Sequence, residues 1–157
     1  MEMSIILQKI CRWCAYQDRS EFETRQKLRT WNLEDTDINK VIEYLKKEQY
    51  LNEERFIRAF MDGKLQGKKW GTEKIKYHLK HKHHIPEHLI NQYIQNIDKE
   101  LYKEKLKKLL LKKKTQLNKK ETDPQVLKKK IINFALSKGY TLSDILLTLQ
   151  EINDKLW

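Results

Sequence analysis

The chain has 157 residues with 33 Lys+Arg against 22 Asp+Glu, a formal charge of +11, and only two Cys, four Gly and two Pro. At 39% hydrophobic it can bury a core, which excludes wholesale disorder although 35% of residues are charged. Two Cys exclude a disulfide-stapled domain, Glu2, Gln8 and Lys9 break the first apolar run, and runs such as Leu109-Leu110-Leu111 fall far short of the roughly 20 apolar residues of a membrane span, so a cytoplasmic protein with no signal peptide or membrane contact is expected.

Strands have little support, for only Val41 and Val126 occur and no segment alternates apolar and polar residues. Helical spacing recurs instead. The first helix carries Ile6 and Ile10, and the second opens at Ser20 with Glu23, a capping box, and carries Phe22 and Leu28. The third has Ile38, Val41, Ile42 and Leu45 at i, i+3, i+4, i+7. Asn52 caps a fourth with Phe56, Ala59 and Phe60, and Gly71-Thr72 opens a fifth with Ile75 and Leu79. Pro86 starts the sixth, with Ile90, Tyr93, Ile94 and Ile97. The seventh holds Tyr102, Leu106 and Leu109, and residues 112–123 are its polar end and a loop. Asp123 and Pro124 start the eighth, with Leu127, Ile131, Phe134 and Ala135, and Gly139 suits the left-handed position after it. Thr141, with Ser143 or Asp144, starts a ninth carrying Leu142, Ile145, Leu146 and Leu149.

A helix-turn-helix pattern repeats within this series. Leu28, Leu33, Ile38 and Ile42 are matched by Leu79, Ile85, Leu89 and Tyr93, and by Leu136, Tyr140, Ile145 and Leu149. A third of the chain is about 52 residues, a sensible three-helix unit. The expected fold is therefore all-α: three tandem three-helix repeats, 1–50, 51–98 and 99–157, in an elongated, modular arrangement. Residues 1–50 hold 9 basic and 9 acidic residues, 51–100 hold 10 and 7, and 101–157 hold 14 and 6. The charge thus climbs along the chain, as in a protein that meets a polyanion at one end.

Several motifs resemble the RecX family, regulators of the bacterial recombinase RecA. They are Asp18-Arg19-Ser20 with Glu23 and Lys27-Leu28, the run from Tyr50 through Leu51, Asn52, Glu53, Glu54, Arg55 and Phe56 to Ala59-Phe60, and then Gly67, Gly71, Ile75 and Leu79. Phe134, Gly139, Tyr140 and Ile145 match the family's closing repeat more loosely. Thr30-Trp31-Asn32 stands where the family commonly has a basic residue and Gly, and His81 to His84 is unusually His-rich. The resemblance implies three tandem repeats that bind RecA–DNA filaments in their groove and limit strand exchange and repressor self-cleavage, with no chemistry of their own.

No catalytic, cofactor or metal set emerges from the residues. Cys11 and Cys14 lack a second ligand pair and read as buried thiols. His78, His81, His83, His84 and His88 read as surface imidazoles whose protonation would strengthen polyanion binding. Gly63, Gly67 and Gly71 lack the Gly-Lys-Ser/Thr ending of a phosphate loop, and Glu53 and Glu54 suit a helix start. The foremost contact candidates are Lys68, Lys69 and Trp70, followed by Lys74, Lys76 and Lys80. Trp70 has two readings, a platform for a base or a residue packed beneath its loop, and the second carries more weight. Lys112, Lys113 and Lys114 join them, with Lys128, Lys129 and Lys130, which circle a helix so that at least one faces outward. Arg25, Lys27 and Arg29 rank lower because the first third is neutral. The expected function is a monomeric, non-enzymatic regulator that binds RecA in its filament on single-stranded DNA and most readily inhibits recombinase and coprotease activity in DNA repair and the SOS response. The alternatives are a stand-alone helical DNA-binding protein and a helical protein-binding adaptor.

Overall fold

A computed structural model describes residues 2–156, with side chains described as far as Asn153. Nine α-helices follow in order: α1 Met3–Tyr16, α2 Glu21–Arg29, α3 Asp35–Lys47, α4 Glu53–Asp62, α5 Thr72–His81, α6 Glu87–Gln95, α7 Lys99–Asn118, α8 Pro124–Lys138 and α9 Leu142–Leu156. A π-helical turn, Gly63–Gly67, continues α4. No strand occurs among the described residues.

Local chemistry sets the helix ends. Ser20 Oγ accepts from Glu23 N–H while the Glu23 carboxylate accepts from Ser20 N–H, a complete capping box. Asn52, Asp98 and Asp123 accept first-turn N–H groups in the same way. Pro124 sits in the first turn of α8, where its missing N–H is harmless, whereas Pro86 stands one residue before α6. Thr141 Oγ1 accepts from Asp144 N–H to start α9.

Three separate apolar clusters fill the protein. One joins Ile10 of α1, Leu28 of α2 and Ile38 and Leu45 of α3; a second joins Ile57 of α4, Ile75 and Leu79 of α5 and Ile90 of α6; a third joins Leu106 and Leu110 of α7, Ile131 of α8 and Ile145 and Ile152 of α9. Cys14 is buried in the first cluster and Cys11 packs at its edge, both as free thiols. The accessible surface is 10515 Å², against about 8400 Å² for a compact monomer of this mass. Division into three cores leaves that extra surface exposed.

Burial corrects the repeat register. Leu136 is 42% exposed and Ala135 takes its place in the core, and Ile90 is buried where Leu89 is only half-buried. The equivalent core positions are therefore Leu28, Leu33, Ile38 and Ile42; Leu79, Ile85, Ile90 and Ile94; and Ala135, Tyr140, Ile145 and Leu149. The spacings become 5-5-4, 6-5-4 and 5-5-4, so the second turn holds one extra residue. In each turn the residue before the apolar anchor is left-handed: Asn32 (φ 60°), His84 (φ 54°) and Gly139 (φ 102°). Asn32 thus performs the backbone role of a turn glycine. The stripe expected on α9 also shifts, because Leu142 (49%) and Leu146 (43%) are exposed while Ile145, Leu149 and Ile152 pack inward.

The units join by one recurring contact, in which the start of one repeat's middle helix receives the turn of the next repeat. At the α2 start, Ser20 Oγ lies 2.8 Å from His83 Nδ1, and Phe22 stacks on His84 at 3.9 Å between centroids. The Glu53 carboxylate accepts from Glu21 N–H, and Arg55 pairs with Asp18 while donating to the carbonyls of Gln49 and Tyr50. The run from Tyr50 to Phe56 is thus a joint, with Leu51 in the first core and Phe56 in the second. At the α5 start the N-cap residue, Gly71, has no side chain with which to cap the helix. Instead Gly71 N–H donates to Lys138 C=O (2.8 Å), Glu73 N–H to Gly139 C=O (2.9 Å) and Thr72 N–H to the Tyr102 hydroxyl (3.0 Å).

His83 is no surface imidazole. It is half-buried against Phe56 and Phe60, and burial, reinforced by the positive field of His78, Lys64 and His84, pulls its pKa down from 6.5 to about 4. The Ser20 hydroxyl has one proton and two lone pairs, so besides accepting from Glu23 N–H it donates to Nδ1 when the neutral ring carries its proton on Nε2, and accepts from Nδ1–H in the other tautomer. Protonating the ring removes the arrangement in which the fully buried hydroxyl donates its own proton to Nδ1.

Two expectations follow from these joints. A Cβ on Gly71 would lie closer than 3.0 Å to the Gly139 backbone, so Gly71→Ala should lower stability in chemical denaturation by about 1–3 kcal/mol, and Gly139→Ala, at φ 102° and against Lys74, by at least as much. The unfolded imidazole of His83 takes its proton near pH 6.5 and the folded one near 4, so its stabilisation is complete above pH 6.5 and is lost as pH falls towards 4. The unfolding midpoint of the wild type should therefore fall more steeply over that interval than that of His83→Asn.

Candidate nucleic-acid interface

The second joint gathers cations from two repeats. Lys68 and Lys69 are exposed on the loop between the π-helical turn and α5. Their carbonyls accept, at 3.4 Å each, from Lys138 Nζ and the Tyr140 hydroxyl of the third repeat, and Lys69 is held left-handed at φ 59°. Facing them are Lys112 and Lys113 of α7 and Phe134 and Lys138 of α8. Together these residues line an open groove of about 270 Å³ with Gly67, Leu109 and Gln116. Lys113 Nζ lies 4.4 Å and Lys138 Nζ 5.8 Å from the Phe134 ring centre. No acidic side chain lines the groove among the described residues.

Trp70 belongs to the second core rather than the open surface. Its ring meets Phe60 edge-on at 6.4 Å and His78 at 4.6 Å, and the ammoniums of Lys64 (4.7 Å) and Lys74 (4.6 Å) lie over it. Burial and the charges of Lys74, Lys64 and Lys82 lower the pKa of His78, so it also resists protonation. Trp70 thus acts as an apolar spacer beneath two cations, and Lys74 also reaches the Ser137 carbonyl across the joint (3.4 Å).

The other candidates lie apart from the groove. Lys76 pairs with Glu73 (3.6 Å) and Lys80 with Glu87 (3.5 Å) on α5 and its flank. Lys114 and Lys128 border a largely apolar cleft with Leu110, Leu127 and Leu149, where burial lowers the Lys114 pKa. Lys129 is exposed on α8, and Lys130 pairs with Glu121 (3.3 Å). The lower-ranked residues serve the first repeat: Arg25 pairs with Glu21 and donates to Asn39, Arg29 meets Asp35, and Lys27 lies near the rings of Trp13 and Trp31.

Sequence reasoning missed Lys138 and misassigned Phe134. Phe134 stands beside Ala135 at the edge of the α8 stripe, yet it is only partly buried and lies outside the third core. Lys138 is the last residue of α8, a position where a cation already suits the helix dipole. No group of three or more His, Cys, Asp or Glu side chains suited to a metal occurs among the described residues, and no described helix is long and apolar enough to cross a membrane.

A profile of the RecX first three-helix domain matches residues 7–45. The chain is 34% identical over 122 residues to the regulatory protein RecX of Clostridium beijerinckii and 36% identical over 122 residues to that of Clostridium perfringens, each match covering 78% of this chain and 56% of the relative. It is 32% identical over 136 residues to regulatory protein RecX of Clostridium acetobutylicum, covering 85% of this chain and 62% of that one. The chain therefore spans little more than half the length of these relatives. Its fold is that of a crystal structure of RecX from Lactobacillus salivarius, with a TM-score of 0.82, 21% identity and 96% of each chain covered. A second crystal structure, of regulatory protein RecX, superposes with a TM-score of 0.80 at 18% identity, covering 94% of this chain and 71% of that one. From its first-repeat motif through its three helical cores, this chain resembles the RecX family in sequence and in fold.

Proposed function

We propose that the chain is a regulator, without chemistry of its own, that binds the filament of RecA on single-stranded DNA and restrains recombinase and coprotease activity in the repair response. The observation that carries this reading is the cationic joint between the second and third repeats, where Lys68, Lys69, Lys112, Lys113 and Lys138 converge around one groove. The name of the relatives, regulatory protein RecX, supports the choice of target. The proposed units are 1–50, 51–98 and 99–157, which the three apolar clusters support, and the proposed state is a cytoplasmic monomer. A repeat array suits a filament because successive units can meet successive protomers, while a cationic face meets phosphate.

Substoichiometric protein should slow RecA strand exchange and filament-dependent ATP turnover. A protein that leaves both unchanged at saturation, or that prefers one duplex sequence without RecA, is not this regulator. Replacing Lys128, Lys129 and Lys130 with Glu should weaken filament binding and flatten its dependence on salt by about 0.7 log units per decade for each phosphate contact removed. Lys130 is already paired with Glu121, so most of the change should come from Lys128 and Lys129.

A further inference from the structure

We propose that the groove at the second joint is a subsite for single-stranded nucleic acid, in which one base lies on Phe134 and its flanking phosphates are held by Lys68, Lys69, Lys112 and Lys113. This deepens the filament reading above and rests on it for the source of the strand.

Three observations point to that ligand. First, the groove is lined by five lysines and by no acidic residue among the described residues. Like charges at this density repel, and a bound polyanion removes the repulsion while releasing its own counterions. Second, Phe134 is an aromatic side chain that the third core does not use, left partly open between two ammoniums. An acidic peptide would be satisfied by the lysines alone, whereas an unstacked base also uses the ring. A duplex keeps its base faces inside the stack, so the ring selects for a single strand. Third, the loop bearing Lys68 and Lys69 is fixed before any ligand arrives. Lys138 and the Tyr140 hydroxyl bind its carbonyls, and Gly71 N–H binds Lys138 C=O.

The ligand replaces contacts already present. Lys113 and Lys138 now lie over the Phe134 ring, where the ammonium meets its negative face. The flexible stem of Lys113 lets its ammonium swing to a phosphate beside an arriving base, which then takes the ring face, while Lys138 keeps its bond to the Lys68 carbonyl. Because the groove walls come from α7, α8 and the loop before α5, an occupied groove also clamps the second repeat to the third.

The test uses the full chain and a fluorescein-labelled 15-residue oligo-deoxythymidine read by anisotropy. Phe134→Leu, which keeps an apolar side chain, should weaken binding about tenfold with the salt slope unchanged, since stacking carries no counterion release. Lys112→Gln with Lys113→Gln should weaken binding and lower the slope. A duplex of equal length should bind less tightly than the single strand and show no loss with Phe134→Leu. Binding of the single strand within twofold of wild type by Phe134→Leu, or preference for the duplex, overturns the subsite. Should Phe134→Leu fail to match the wild-type circular dichroism spectrum, photo-crosslinking of wild type to a bromodeoxyuridine oligonucleotide decides: a cross-link at Phe134 supports the subsite, and cross-links only elsewhere overturn it. Assay of RecA strand exchange separates the two readings. Wild type and Phe134→Leu that inhibit RecA equally and bind the oligonucleotide equally remove the subsite and leave the regulator. A Phe134-dependent oligonucleotide affinity with no effect on RecA removes the regulator and leaves the subsite.

Discussion

The start of α5 is a helix end with no cap of its own, and the second half of the structure depends on how that deficit is met. Gly71 offers no side-chain acceptor, so the first N–H groups of the helix would be left to solvent. The carbonyls that close α8 have the complementary deficit. Joining them satisfies donors and acceptors together and sets the positive end of one helix dipole against the negative end of another. The approach is so close that each partner must be glycine: Gly71 because a Cβ would strike the Gly139 backbone, Gly139 because its φ is 102° and a Cβ would strike Lys74. Tyr102 and Tyr140 seal the flank by binding Thr72 and the Lys69 carbonyl. This contact, made between short stretches of backbone, places lysines of two separate cores around one groove.

The first joint uses the same geometry with different chemistry. Ser20 completes its own capping box, so the incoming turn brings the Nδ1 of His83 to the Ser20 hydroxyl instead of carbonyls to backbone N–H groups. The extra residue of the second turn allows this. It lengthens the path between Leu79 and Ile85, with His84 left-handed, and puts two imidazoles against Ser20 and Phe22. The ion pair of Arg55 with Asp18 and the approach of Glu53 to Glu21 N–H belong to this joint as well. Here opposite charges and aromatic faces hold two repeats together. At the second joint backbone, tyrosine and the Lys138 ammonium do so, and among the described residues the lysines lining the groove form no ion pair, which leaves them open to a ligand.

Much of the fold was legible because its causes are local. Ser20 with Glu23, Asn52, Asp123-Pro124 and Gly139 announce helix ends through chemistry that acts over three or four residues. The stripe on α3 is unambiguous, since Ile38, Val41, Ile42 and Leu45 all lie inside. Where a stripe has apolar neighbours one position apart, periodicity cannot choose between them, because successive residues differ by only 100° around the axis. That is how Leu136 displaced Ala135 in the expected register and how Phe134 was read as core. The groove was beyond such reasoning for another reason. Lys68 and Lys138 are 70 residues apart, and their meeting is decided by a backbone contact between two glycines that carry no periodic signal. His83 was misread likewise: a histidine in a basic run looks solvated until the partner 63 residues away is known.

The distribution of charge follows from the joints. A chain with 33 basic residues must keep them apart or give them partners, and the first repeat gives them partners, as Arg25, Arg29 and Lys46 each meet a carboxylate. At the second joint, the ammoniums of Lys138 and Lys113 rest on a carbonyl and an aromatic ring, which orient a cation without neutralising it. A carboxylate there would compete with any phosphate. The same reasoning accounts for the neutral His83 at the other joint. A proton on it would be half-buried and repelled by the field of Lys64, so burial keeps the ring neutral and that joint intact until pH falls towards 4. Cohesion and anion capture thus rest largely on different residues, so Lys68, Lys69, Lys112 and Lys113 can be exchanged for neutral side chains without loosening the repeats, whereas Lys138, whose ammonium also holds the Lys68 carbonyl, and the glycines beneath cannot.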